Sequence, residues 1–312
     1  MLAFARRYGT WIGMGVVFVS FWIHLPDTFV TSRNLMNITQ QMSMLAVVAF
    51  TMTIVMAMGD FDLSVGSMAS LAGVVAALVF VAGGPSWLAI AAALAAGLVG
   101  GAINGFLVSY VGIMPFIATL GALTVLSGLA FRLSGGKTIF GSAIPSSFSG
   151  FARGATFAAP NLTLVALGAL VVIHVVLEHS VYGRRLYAIG GNAEAARLAG
   201  VRIKPLRMSA FALSGLGAAV AGLMYASRVA SANPTQGAGL MLDAIAAVFL
   251  GMTMSDEGQP RVIFTLAGVL ILGMLGNGLT QMNVDSYVRD MITGSIIIAA
   301  VASSSLGRAR EG

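Results

Sequence analysis

The chain has no cysteine, only three histidines and few charged residues among its 312 positions. Without thiols there is no disulfide, no thiolate metal site and no cysteine nucleophile. His24, His174 and His179 do not fall at metal-ligand spacing. No Gly-x-x-x-x-Gly-Lys-Ser/Thr run occurs, which excludes the usual phosphate-cradling loop and, with it, nucleotide hydrolysis by this chain. Asp, Glu, Lys and Arg make up 9% of the residues, whereas soluble domains carry about 25%. That scarcity excludes a soluble globular domain. What is present is apolar and small: 58% hydrophobic residues, 39 glycines and a mean hydropathy of +0.92. Glycine in apolar surroundings lets membrane helices approach closely, so the composition describes an all-α membrane protein.

Apolar runs separated by Gly, Pro, Asn or charge predict about ten spans within a single transmembrane domain, 1–312. They fall near 10–30, 36–58, 63–82, 86–110, 114–134, 160–180, 205–229, 240–254, 262–281 and 287–304. The run after Arg6-Arg7 continues to Phe29 without a small-x-small cleavage site and reads as a retained first span. The net charge of +6 is not a nucleic-acid signal, because the basic residues lie in short connections where they set orientation. With the N-terminus inside, the cytoplasmic set is Arg6, Arg7, Arg184, Arg185, Arg197, Arg202, Lys204, Arg207, Arg261, Arg308 and Arg310. The smaller external set is Arg33, Arg132, Lys137, Arg153, Arg228 and Arg289. Both termini are therefore expected in the cytoplasm, and the basic loop at about 181–205 with them. The longest outer connection, about 135–160, reads as a plain loop with room for a short surface helix.

Spans two to five and seven to ten share short blocks, Asp62-Leu63-Ser64 with Leu242-Asp243-Ala244 and Asn104-Gly105 with Asn277-Gly278. Opposite orientation of the two sets would make an inverted repeat, a common transporter design. Asp60 and Asp62 stand between two apolar segments. Ionisable residues at membrane depth face a cavity or a partner, so both are candidates for lining or gating a passage. The bland alternative is a tight turn in which Asp62 caps the third span, and the same capping role is expected of Asp243 in the eighth. Asn104 and Asn277 either bond between helices or line a pore. Phe116, just after Pro115, is a gate candidate or simple packing.

Gly190-Gly191-Asn192-Ala193-Glu194-Ala195-Ala196-Arg197-Leu198-Ala199-Gly200 reads as a capped helix of about two turns in the basic cytoplasmic loop. Asn192 suits the N-cap, Glu194 the first turn, Arg197 the last turn and Gly200 the stop. A pre-formed polar helix held at the membrane face suggests a docking knob for another protein.

From about residue 33 to 302 the chain resembles the membrane-spanning permeases of bacterial ATP-binding-cassette importers for sugars, the ribose, xylose, arabinose and galactose group. Gly59-Asp60-Phe61-Asp62-Leu63-Ser64-Val65-Gly66-Ser67 is similar to G-G-I-D-L-S-V-G-S, and Pro115-Phe116-Ile117-Ala118-Thr119-Leu120-Gly121 to P-F-I-A-T-L-G. Asn104-Gly105, Ala188-Ile189-Gly190-Gly191-Asn192, Leu242-Asp243-Ala244-Ile245 and Asn277-Gly278-Leu279 follow in order. Two stretches depart from the pattern. Met252 to Arg261 replaces a Gly-Thr-Ser turn, and Val288-Arg289-Asp290 stands where many members have Gln.

The resemblance implies a multi-pass inner-membrane permease subunit that is not itself an enzyme and holds no cofactor, ATP and Mg being bound by a separate cytoplasmic ATPase. It implies a second permease subunit, a homodimer being favoured over a heterodimer, and a periplasmic sugar-binding protein. Coupling to the ATPase would fall on Gly190, Gly191, Asn192, Glu194, Ala195, Arg197 and Gly200. The pathway candidates remain Asp60, Asp62, Asn104, Phe116, Asp243 and Asn277. The cargo would be a monosaccharide or polyol. The competing reading is an ion-coupled secondary transporter using Asp60 or Asp62.

Overall fold

A computed structural model describes residues 2–140, 144–255 and 257–308, with the side chains of 2–10, 297 and 300–308 set aside. Arg6, Arg7, Arg308, Arg310 and Asp256 therefore lie outside the described side chains. Most of the described chain is helical. Helix α1 spans Leu2–His24, α2 Ser32–Met56, α3 Val65–Val81, α4 Ser86–Phe106 and α5 Pro115–Ser134. Strand β1 (Ile139–Phe140), α6 (Ser146–Arg153), β2 (Ala155–Thr156) and β3 (Ala159–Pro160) fill the next connection. Then come α7 (Asn161–His174), α8 (Val181–Gly191), α9 (Ala193–Leu198) and α10 (Ile203–Val229). The last elements are β4 (Ser231–Ala232), α11 (Leu240–Met252), α12 (Val262–Gln281) and α13 (Ser286–Arg308). Both α4 and α7 end in a widened π turn, at Leu107–Val111 and Val175–His179.

Local chemistry sets the ends. Thr31 caps α2 by accepting the Asn34 N–H at 3.2 Å, and Pro115 opens α5, where its missing N–H is not needed. Gly112 and Gly135 end their helices in the left-handed conformation that glycine adopts without strain.

Among the described residues, six helices are long and apolar enough to cross a membrane: 32–56, 86–111, 115–134, 161–179, 203–229 and 262–281. Trp11–His24, α3 and α11 are apolar but shorter. The shortness of α11 has a visible cause. After α10 the chain turns back along α3 instead of starting a new helix. Ala232 packs with Val74 and Ala77, the Gly237 N–H donates to Ser70 Oγ at 2.9 Å, and Gly237 lies against Gly66. Thus α11 begins beside the first turn of α3, and the two short helices start side by side.

The packing pairs one half with the other. Helix α10 runs along α3 and α4, while α2 runs along α11 and α12; α3 carries α4 and α5 as α11 carries α12 and α13. The core is built on α2 and α10, whose central residues are almost all buried. Between α4 and α10 the backbones nearly touch. Gly97, Gly101 and Gly105, spaced every fourth residue on α4, face Gly215, Phe211 and Met208 on α10. Small residues at this spacing maximise van der Waals contact where no water is available to drive association.

The outer connection differs from the plain loop expected. Residues 146–153 form an amphipathic helix that buries Phe148, Ser149 and Ala152, with Phe148 against Phe80 at 5.0 Å between ring centroids. The pattern Phe148 to Ala152 at i, i+4 was readable as one helical face, but Gly and Ser on either side masked it.

Candidate functional site

On the side of the basic loop, the chain forms an elbow of two helices. The first, α8, lies in the stretch expected to be a basic loop, yet it is a full helix capped by Ser180, whose Oγ accepts the Gly183 N–H at 3.1 Å. Asn192 is shared: it ends α8 and caps α9, accepting the Ala195 N–H on Oδ1 at 2.9 Å. Glu194 and Arg197 pair across one turn of α9, with Arg197 Nε 3.0 Å from Glu194 Oε2. This guanidinium holds the Glu194 carboxyl below its ordinary range. Gly200 supplies the left-handed turn (φ +84°) that leads into α10. Replacing Asn192 by Ala should cost about 1 kcal/mol of local helix, seen as roughly fivefold faster amide exchange at Ala195.

The elbow is fastened to the bundle from three sides. Tyr182 Oη meets Ser209 Oγ of α10 at 2.9 Å, and the single Tyr187 hydroxyl proton is shared between the Pro260 carbonyl at 2.9 Å and Glu178 Oε1 at 3.0 Å. Burial, then the Glu178 charge, pushes the Tyr187 hydroxyl pKa up, so it stays a donor. Gly190 rests on the Ala57 carbonyl at the end of α2, where any Cβ would collide with backbone. Helix α9 itself projects outward. Leu198 is 76% exposed and Ala196 alone on this helix is buried. Leu198 was not singled out from the sequence; an apolar residue in a polar two-turn helix was the available signal.

Beyond the elbow, the turn between α2 and α3 gathers three of the six other candidates, Asp60, Asp62 and Asn104. Asp62 is fully buried. Its Oδ1 accepts from the Ser64 N–H at 3.0 Å and Ser64 Oγ at 2.6 Å, and its Oδ2 from Ser214 Oγ of α10 at 2.8 Å. Asp62 therefore does not cap α3, whose first residue is Val65. It braces the turn ahead of the helix and ties it to α10. Asn104 of α4 joins from the side, donating to Ser64 Oγ at 2.8 Å. Asp60 is also buried and lies 2.7 Å from Arg207 Nε of α10.

The remaining candidates lie apart. Asp243 is not a cap either. Gly239 holds that position, and Asp243 sits in the first turn of α11, within electrostatic reach of Arg289 and Asp290 of α13. Those two α13 residues belong to the departure noted at Val288. Asn277 bonds between helices: its Oδ1 accepts from Asn34 Nδ2 of α2 at 3.0 Å and from Gln281 Nε2 at 2.7 Å. Phe116 lies in the first turn of α5 and is 58% exposed. An apolar cavity of about 470 Å³ between α4, α6, α7 and α10 contains none of these residues. No cluster of metal-ligating side chains occurs among the described residues.

The chain is similar to known membrane transport proteins in sequence and in fold. Residues 34–301 fit the family described as branched-chain amino acid transport system / permease component. The chain belongs to this permease family. The permease is 37% identical over 296 residues to the ribose import permease protein of Bacillus subtilis (strain 168), covering 95% of this chain and 92% of that protein. It is 34% identical to the L-arabinose transport system permease protein of Escherichia coli (strain K12), covering 95% and 89%. With the D-allose transport system permease protein of that strain the identity is 31%, covering 97% and 93%. Among solved structures, a metal-chelate type ABC transporter in an inward-facing conformation superposes with a TM-score of 0.58. That match covers 94% of the permease and 98% of the other chain at 16% identity, and shows a shared fold. The permease is thus a multi-pass inner-membrane protein.

Proposed function

We infer that this permease forms the translocation path of an ATP-driven importer for a monosaccharide or polyol. The observation that carries the reading is the α8–α9 elbow: a capped helix is presented outward while its base is tied to α2, α10 and the 253–261 turn. The relatives named for ribose, arabinose and allose support the cargo class. In this reading the bundle has about ten spans, α3 and α11 among them, with the halves inverted and both termini cytoplasmic. A separate ATPase docks on α9 through Leu198 and the Glu194–Arg197 pair, with Gly191, Ala195 and Gly200 at the contact. A periplasmic sugar-binding protein meets the opposite face near α6, and a second copy of the permease completes the path.

ATP-driven closure of the ATPase would press on α9. Because α8 is held rigidly, the push reaches the ends of α2, α10 and α11 together and rocks the bundle. The ion-coupled alternative is not favoured, since Asp62 has no exposure and its carboxylate is occupied by three hydrogen bonds. In proteoliposomes, accumulation of D-ribose, L-arabinose or D-allose is expected only when the ATPase, the binding protein and ATP are all present. Arg197→Glu should reduce it about tenfold, a loss of roughly 1.4 kcal/mol of coupling. Accumulation by the permease alone, driven by an ion gradient, would overturn the reading.

A further inference from the structure

We propose that Asp60 and Arg207 form a releasable latch between the α2–α3 turn and α10, and that Asp62 with Ser214 is the hinge on which α10 tilts when the latch opens. The inference rests on the importer reading above. Two carboxylates from one short turn engage the same face of one helix. Arg207 and Ser214 are two turns apart on α10, about 10 Å along its axis.

The two engagements differ in kind. Asp62 is held by the Ser64 N–H, Ser64 Oγ and Ser214 Oγ, and Asn104 fixes Ser64 in turn from α4. Every one of these bonds is short and directed, so this point is stiff. Asp60 Oδ2 meets Arg207 Nε at 2.7 Å in a single-point contact, against the three bonds that hold Asp62. The Arg207 side chain is 25% exposed against 6% for Asp60, so the guanidinium lies at the rim and can return to water. Desolvation offsets much of the attraction in a buried ion pair, so the intact contact adds little net stability, and opening it requires water to follow the guanidinium to Asp60.

The surroundings place this latch where a push arrives. Gly190 of α8 rests on Ala57, three residues before Asp60. Phe61 stacks on Phe249 of α11 with centroids 6.0 Å apart, and Thr119 Oγ1 of α5 reaches the Phe61 carbonyl at 3.5 Å. Movement of α8 against this turn would shift Asp60 relative to Arg207 while Asp62 keeps its grip two turns away. The result is rotation of α10 rather than its translation.

The absence of cysteine makes the test direct. Spin labels on Arg202→Cys and Met114→Cys, at the exposed starts of α10 and α5, would report the tilt in the complex assembled with its ATPase. Asp60→Asn and Arg207→Gln are each expected to shift the nucleotide-free distance distribution toward the one seen with MgATP. They should also raise solute-independent ATP hydrolysis about tenfold, a coupling of roughly 1.4 kcal/mol. The charge-swapped Asp60→Arg/Arg207→Asp pair should restore both readouts to within about threefold, and Asp60→Glu should behave like the wild type. Single variants with unchanged distances and hydrolysis would overturn the latch. So would a swap no better than the singles while membrane insertion is normal, since that pattern marks a merely structural pair. A wild-type complex in which MgATP moves no label would instead bring down the importer reading, and the latch with it.

Discussion

Gly215→Leu should give a chain that either fails to reach the membrane or unfolds roughly 10 °C below the wild type. The basis is steric. A Cβ at position 215 would run into the Gly97 carbonyl oxygen and lie 2.9 Å from the Gly101 Cα and N, all of them backbone atoms that cannot rotate away. The two helices would have to part, and α4 and α10 share the most extensive helix–helix contact in the bundle. Over-packing a tight core costs about 1–3 kcal/mol where side chains can adjust, and a backbone-to-backbone seam lies at or above the upper end of that range. For a chain of this size about 3 kcal/mol corresponds to a fall in Tm of order 10 °C. Thermal unfolding of the purified protein in detergent measures it. Gly128→Leu is the comparison, because nothing lies within 4 Å of a Cβ built there, and a shift of under about 2 °C is expected. Equal shifts for the two variants would mean that the α4–α10 seam is not tight.

Gly190→Leu should uncouple without unfolding. Its side chain would strike the Ala57 carbonyl and lift the end of α8 from α2, while α9, with its cap and its Glu194–Arg197 pair, keeps its own internal bonds. The ATPase is therefore expected still to bind. Uptake should fall at least about tenfold, the size of a 1.4 kcal/mol loss in coupling, with hydrolysis persisting. Co-purification of the ATPase together with transport in the same vesicles separates the two effects. Uptake within twofold of the wild type would show that the seat of Gly190 transmits no force. This substitution and the Asp60 and Arg207 variants act on one route, the first at its entry and the others at its far side. A double variant should then lose little more than the stronger single one, as coupled residues do.

Much of this was legible because long apolar runs leave the backbone no alternative to helix. The limits of α5, α10 and α12 fall within two residues of the expected 114–134, 205–229 and 262–281. The α9 cap was legible for a different reason: Asn192, Glu194, Arg197 and Gly200 act within a few residues, and local chemistry can be read locally. The roles assigned to Asp62 and Asp243 were not. Both precede or open a helix in sequence, and an acidic residue there commonly caps it. In the folded chain Asp62 reaches Ser214, 152 positions away, and the sequence holds no mark of that distance. The return of residues 233–239 along α3 escaped for a similar reason, since the contact of Gly237 with Gly66 joins two glycines that carry no hydrophobic signal.

Composition, periodicity and local capping chemistry by themselves determined the membrane, the helical class, the order of the main helices and the capped α9 helix. Each of these depends on a residue's own side chain or on neighbours a few positions off. Tertiary structure alone decided which polar groups meet: the Asp62–Ser64–Ser214–Asn104 cluster, the Asp60–Arg207 pair, the Asn34–Asn277–Gln281 amides and the seat of Gly190 on Ala57. The physical reason is that a polar group inside an apolar bundle must find a partner wherever the packing of whole helices brings one, and that packing is fixed by glycine seams and core volume spread over the entire chain.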